Sequence, residues 1–271
     1  MTEFDDINAR GLVLVGCGRM GGAMLKGWLA RGLRPDAVTV IDPNLAPEWQ
    51  DKGLRVNADL PGNPAVLVLA VKPQMMADAL GQVPKLSDTL VVSVAAGTTI
   101  ASFEATFPGA PIVRVMPNTP AAIGQGISAM IGNSRATAAH LDLAEALMRA
   151  VGRVVRLDDE GQMDAVTGLS GSGPAYVFHL IETMAKAGEA QGLPAGLALE
   201  LARATVAGAG ALAVHEDEDP AVLRQNVTSP NGTTAAGLEV LMDQDAGLPP
   251  LMVRTVAAAT ERGRALGRGE A

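Results

Sequence analysis

A short apolar run, Leu12-Val13-Leu14-Val15, closes on Gly16-Cys17-Gly18-Arg19-Met20-Gly21 and opens again into Ala23-Met24-Leu25-Lys26-Gly27-Trp28-Leu29. The run is short and β-branched enough for a buried strand, and residues 23–29 have the composition of a helix, so the glycines stand in a strand-to-helix turn. Each has a physical task. Gly16 permits the tight turn, Gly18 lets the backbone approach a pyrophosphate, and Gly21 lets the helix lie close on the strand. The helix start then offers free N–H groups and a partial positive charge to phosphates. In this setting G-x-G-x-x-G marks a dinucleotide-binding turn; elsewhere the same glycines serve as a plain connector.

Further along, apolar runs that suit buried strands recur at residues 37–41, 66–71, 89–97 and 111–116, with shorter candidates at 127–131 and 154–157 and a helix at 137–150. Runs apolar on both faces belong in a parallel sheet with covered faces. Strands alternating with helices to about residue 157 predict an α/β, doubly wound, mostly parallel sheet. Beyond Asp158 the strand period disappears, and residues 174–191, 194–214, 234–242 and 251–266 read as helices. Two domains are therefore expected, 1–158 for the dinucleotide and 159–271 all helical. From Ala204 to Val214 the second of these helices is apolar nearly all round. Such a helix needs burial on every side, which predicts packing against a second subunit in a homodimer.

The net charge of −8 argues against nucleic acid or an anionic membrane surface as partner, so an anionic ligand must be held by local donors. The single cysteine, Cys17, cannot form an intrachain disulfide and suits a reducing compartment. It reads as a small filler in the turn rather than a reactive thiol. The acidic start, Met1 to Asp6, lacks the build of a signal peptide, and the uncharged stretch 204–214 is short of the roughly 20 residues that cross a bilayer. A cytoplasmic protein is expected. His140, His179 and His215 stand far apart without cysteine, so no metal-ligand spacing is present.

Asp42 ends the second strand where an acidic residue would hold a ribose 2′-hydroxyl, which would favour NADH; it also reads as a turn residue before Pro43. Asn57 is a candidate for the adenosine end. Ligands of an open α/β sheet sit beyond the carboxyl ends of its strands, which brings Ala70, Val71, Lys72 and Pro73 to the cofactor. Ser170-Gly171-Ser172-Gly173-Pro174 starts a helix with Pro in its first turn and hydroxyls to cap it; its glycines equally permit close approach of a nicotinamide. Ser229-Pro230-Asn231-Gly232 is turn chemistry, and the helix opening at Thr233-Thr234 supplies N–H groups and hydroxyls either to a carboxylate or to an ordinary N-cap.

Five stretches together resemble pyrroline-5-carboxylate reductases along essentially the whole chain: the glycine turn, residues 70–73, Met116-Pro117-Asn118-Thr119-Pro120, residues 164–176 and residues 226–234. The resemblance implies a Rossmann domain followed by a helical dimerisation domain, with the active site formed between cofactor and the dimer's helices. It further implies assembly that commonly reaches a decamer. The reaction it implies is hydride transfer from NADPH or NADH to the ring C=N of the small-molecule substrate 1-pyrroline-5-carboxylate, giving L-proline as the last step of proline biosynthesis. By motif match, substrate contacts fall to Glu160, Asn226, Ser229, Thr233 and Thr234, with Thr234 hydrogen-bonding the ring nitrogen. Cofactor contacts fall to Val15, Gly16, Cys17, Gly18, Arg19 and Met20, to Asp42 and Asn57, to Ala70, Val71, Lys72 and Pro73, and to Val94, Ala95 and Ala96. Two departures stand out. The family's Ser-Pro-Gly-Gly is here Ser229-Pro230-Asn231-Gly232, which Asn tolerates in a left-handed turn, and Asp42 stands near where NADPH-using members place a hydroxyl.

Two other functions fit parts of the pattern. A β-hydroxyacid-type dehydrogenase needs a lysine soon after the Gly-x-Gly turn, whereas here the first is Lys186. A non-catalytic NAD(P)H-binding redox sensor would not need the anion-holding turn at 226–234.

Overall fold

The computed structural model describes residues 4–81, 83 and 88–270. Among the described residues eight strands form one sheet: β1 (Leu12–Val15), β2 (Val38–Ile41), β3 (Arg55–Val56), β4 (Val66–Leu69), β5 (Leu90–Ser93), β6 (Ile112–Met116), β7 (Gly126–Gly132) and β8 (Gly152–Arg156). Their order is β3-β2-β1-β4-β5-β6-β7-β8. All pairs are parallel except β6 with β7. The chain leaves β1 toward β2 and β3, then returns to the other side of β1 at β4. That reversal is the switch point of a doubly wound sheet, the place where ligands bind.

Helices cover both faces: α1 (Asp5–Arg10), α2 (Arg19–Ala30), α3 (Met76–Leu80), α4 (Ile100–Thr106), α5 (Ala138–Arg149) and the short α6 (Met163–Val166). On β1 and β4 successive side chains enter opposite cores. Leu12, Leu14, Val66 and Val68 pack with Met24, Leu25 and Trp28 of α2 and Leu147 of α5, while Val13, Val15, Leu67 and Leu69 pack with Phe103 and Phe107. The period of two and the absence of a wet face explain why these runs are uninterruptedly apolar. Trp28 is fully buried, and its Nε1–H donates to the Leu147 carbonyl at 2.8 Å. At the acidic N-terminus residues 1–3 lie outside the described residues; from Asp5 the chain is helical, with Ile7 buried.

The remaining helices are α7 (Gly173–Ala190), α8 (Ala195–His215), α9 (Pro220–Asn226), α10 (Thr233–Leu241) and α11 (Leu248–Gly267). The chain forms two compact units: one ends at Gly171 and takes in the chain again from Ala259, and the other is Ser172–Ala258. Within the second unit α7 and α8 lie along one another, with Ala185, Ala198 and Ala202 buried and Gly188 against Ala198 and Leu193. Small residues let the two helices approach closely. The apolar run 204–214 is part of a longer helix than its uncharged core indicates: α8 is, by length and composition, long and apolar enough to cross a bilayer, yet it carries Glu200 and Arg203 near its start.

Candidate dinucleotide and substrate site

Register builds the site before any side chain is considered. Val15 pairs with Ile41 and with Leu69, so the next residue of each strand, Gly16, Asp42 and Ala70, comes to one edge of the sheet. The Gly16 N–H donates to Ile41 O at 2.9 Å, and Ala70 N–H to Val15 O at 2.8 Å. Beyond that edge lies a cavity of about 600 Å³, whose wall includes Gly16, Cys17, Gly18, Arg19, Asp42, Ala70, Val71 and Lys72.

The three glycines have distinct constraints. Gly16 adopts φ +90°, and a Cβ there would come 2.8 Å from Val71 Cγ1 and 2.9 Å from the Ala70 backbone. A Cβ on Gly21 would collide with the Gly16 carbonyl, while Gly18 has nothing within 4 Å of where its Cβ would be. The turn is thus closed on the protein side and open at Gly18, a cradle that fits a pyrophosphate at the start of α2. Cys17 is buried beside Asp42 and Glu48, and burial first, then these two carboxylates, push its thiol up to about 12. It stays protonated and inert at neutral pH.

Val15, Met20, Val94, Ala95 and Ala96 lie off this wall. Val15 is buried in β1, Ala95 belongs to one core, and Met20 and Val94 pack against the other. Ala96 lies in the turn after β5, and Pro73 in the helical turn Pro73–Met75. Asn57 does not line the cavity; its amide holds the main chain of Asp42. Sequence reasoning missed Trp49, which lines the cavity from the loop after β2. An aromatic side chain in Pro47-Glu48-Trp49, just past the acidic strand end, was the signal.

Glu160 is held by a buried cation. Its Oε1 accepts Arg114 Nη1 at 2.6 Å and the Ile100 N–H at 2.9 Å, which ties β6 to the start of α4. Arg114 is 5% exposed and was visible as the one charge inside Ile112-Val113-Arg114-Val115-Met116, because a buried guanidinium requires a partner. Residues 167–171 form a π-helical turn, a rare geometry that concentrates at functional sites. There a Cβ on Gly171 would run into Met116. Pro174 sits in the first turn of α7 as expected, but Ser172 at its N-cap makes no side-chain cap bond.

The remaining substrate candidates, Asn226, Ser229, Thr233 and Thr234, belong to the second unit. Asn226 ends α9 and donates to Glu218 Oε2 at 3.1 Å. The turn before α10 closes through Gly232 N–H on Ser229 O at 3.0 Å, with Asn231 at φ +59°, the left-handed conformation expected of it. Gly232 is the N-cap, with no side-chain cap bond. Thr233 and Thr234 therefore occupy the first two helical positions, exposed, and neither hydroxyl is spent on capping.

A doubly wound sheet with a glycine cradle at its switch point defines a protein of the dinucleotide-binding Rossmann class. Residues 12–97 match the family described as NADP oxidoreductase coenzyme F420-dependent, and residues 160–266 match pyrroline-5-carboxylate reductase dimerisation. Pyrroline-5-carboxylate reductase of Pseudomonas aeruginosa is 39% identical over 260 residues, covering 93% of this chain and 94% of that one; the enzyme of Pisum sativum is 38% identical, covering 94% and 95%. Among solved structures, the pyrroline-5-carboxylate reductase of Coxiella burnetii superposes with TM-score 0.86 at 32% identity over 95% of this chain and 98% of that one. The Plasmodium falciparum enzyme, solved with NADP bound, superposes with TM-score 0.83 at 28% identity over 96% and 99%. The chain belongs to the pyrroline-5-carboxylate reductase family. It is an oxidoreductase and carries that family's dimerisation domain.

Proposed function

We propose that residues of both units serve the reduction of 1-pyrroline-5-carboxylate to L-proline, with the domains divided functionally at 158/159. NADPH or NADH, when bound, supplies the hydride that the ring C=N carbon accepts. Gly16, Cys17, Gly18, Arg19 and Met20, next to Val15, hold the pyrophosphate, while Asp42 and Asn57 serve the adenosine end. Ala70, Val71, Lys72, Pro73, Val94, Ala95 and Ala96 line the path toward the nicotinamide. The substrate carboxylate is taken by Ser229, Thr233 and the N–H groups opening α10, and Asn226 and Glu160 serve as further substrate contacts. Each hydrogen bond to a charged group is worth about 1.5–3 kcal/mol, enough in sum to hold a small acid on a chain of net charge −8.

Thr234 hydrogen-bonds the ring nitrogen. A protonated pyrroline is already electrophilic, so no strong acid is needed and the protein's work is positioning. The observation that carries the substrate assignment is Gly232, rather than a hydroxyl residue, at the N-cap of α10: both threonine hydroxyls remain available to a ligand.

The apolar faces of α7 and α8 support a homodimer, and a decamer built from dimers is the larger assembly to look for. On this reading α8 packs on protein and not on a bilayer, nucleic acid is no partner, and the enzyme works in the cytoplasm. Mixing the protein with a reduced nicotinamide dinucleotide and pyrroline-5-carboxylate tests the function: the nicotinamide absorbance falls only when both are present, and L-proline accumulates in equal amount. Binding of the dinucleotide without substrate-dependent oxidation would favour the redox-sensor alternative.

A further inference from the structure

At the β2 edge of the cavity one carboxylate is fixed by two backbone N–H groups, and the main chain that carries it is held by a neighbouring amide. Asp42 Oδ2 accepts the Cys17 N–H at 2.7 Å, and Oδ1 accepts the Asn44 N–H at 2.8 Å. Behind it the Asn57 amide grips the Asp42 main chain both ways. Its Oδ1 accepts the Asp42 N–H at 3.0 Å, and its Nδ2 donates to the Asp42 carbonyl at 3.0 Å. Asn57 itself is held at φ +46°, its own N–H on Val40 O at 2.8 Å. Asn is among the few residues that take this left-handed conformation readily.

We infer that Asp42, positioned by Asn57, makes this chain select a dinucleotide with a free ribose 2′-hydroxyl, NADH, over one with a 2′-phosphate. The inference rests on the dinucleotide-binding reading of the cavity. An ionised carboxylate offers about four acceptor positions, and two are filled by backbone N–H groups, so a ribose hydroxyl finds an acceptor already oriented. A 2′-phosphate brings about −1.5 to −2 charges and acceptor oxygens instead, and it meets a carboxylate that cannot swing away. Tolerating it would call for an arginine nearby. From Asp42 to Asp51 the sequence has no Lys or Arg but has Glu48 and Asp51 as further acids; Glu48 lines the same cavity, whose cations, Arg19, Lys26 and Lys72, come from α2 and the turn after β4 and not from the loop that follows Asp42. The cation closest in sequence to the glycine cradle, Arg19, opens α2, where both dinucleotides put their pyrophosphate.

ADP-ribose and 2′-phospho-ADP-ribose separate the two cases without turnover, because neither carries a nicotinamide. Binding to the full-length protein is read by calorimetry and by quenching of Trp49, which lines the cavity. Wild type is expected to bind ADP-ribose about tenfold or more tightly than its 2′-phosphate, the difference one charge-assisted hydrogen bond makes. Asp42→Asn, which keeps the shape and loses the charge, brings the two affinities to within about threefold. Asn57→Gly, which keeps the left-handed backbone and removes the clamp, gives an intermediate ratio. Equal or inverted affinities in wild type, or an unchanged ratio in Asp42→Asn, would overturn the inference while ADP-ribose binding left the dinucleotide reading standing. Failure of wild type to bind either ligand would overturn both.

Discussion

In the α/β unit the large apolar side chains of the central sheet and its covering helices are inside: Trp28, Phe103, Leu67 and Leu69 have no exposed surface. In the helical unit Phe178 is 64% exposed and Val214 71%, with Leu180, Leu197, Leu201 and Leu212 also open. Both units are built from apolar elements, so the contrast is one of closure. A sheet covered on two faces buries its central strands, β1, β4 and β5, completely within one chain. A helix apolar on all sides buries only what its neighbours cover, and α8 has α7 for that purpose, packed through small alanines and glycines. Exposed apolar area of this extent marks a surface made for association.

The largest effect should come from breaking that surface. The double substitution Phe178→Asp with Leu201→Asp places two charges on the exposed faces of α7 and α8. Sedimentation should then show a monomer, with activity lower by more than about a hundredfold at micromolar protein, while ADP-ribose still binds. A dimer that persists would remove the role given to these helices. The closed region responds differently. Trp28→Ala empties a fully buried site and strands the Leu147 carbonyl, and should lower unfolding free energy by about 3–5 kcal/mol in denaturant titration, with the association state unchanged. A smaller loss would mean that the α2–α5 contact is looser than its burial indicates.

A third effect concerns Cys17. With its thiol raised from 9.0 to about 12, iodoacetamide should label the native protein at pH 8 at least about a hundredfold more slowly than the unfolded chain. The raised value has a defined sign in stability: the contribution is complete below about pH 9 and is lost as pH climbs toward 12. Labelling at the unfolded rate would show that the turn opens readily.

The sequence carried the positions of most strands and long helices because their apolar period and their glycines act locally. The cofactor turn was legible for the same reason: each glycine answers a contact within a few residues or to the adjoining strand. What escaped depended on partners far along the chain. The two-residue β3 exists only through its pairing with β2, and β7 runs antiparallel to β6, which no local pattern reports. The short α9 hid behind an acidic run that reads as loop until Asp219 is seen capping it through the Ala221 N–H. Asn57, read as a candidate for the adenosine end, also braces the Asp42 main chain across 15 positions, a contact that no local pattern reports. The pairing of Arg114 with Glu160 spans 46.

The proposed reduction requires Thr234 of the helical unit to serve the hydride transfer of the dinucleotide held by the glycine turn. Steady-state kinetics of Thr234→Ala, alongside its ADP-ribose affinity, measure that directly. kcat/KM for pyrroline-5-carboxylate should fall at least about tenfold, equivalent to about 1.4 kcal/mol of transition-state stabilisation, with ADP-ribose bound as in wild type. A kcat/KM within about twofold of wild type, or about 0.4 kcal/mol, would contradict it.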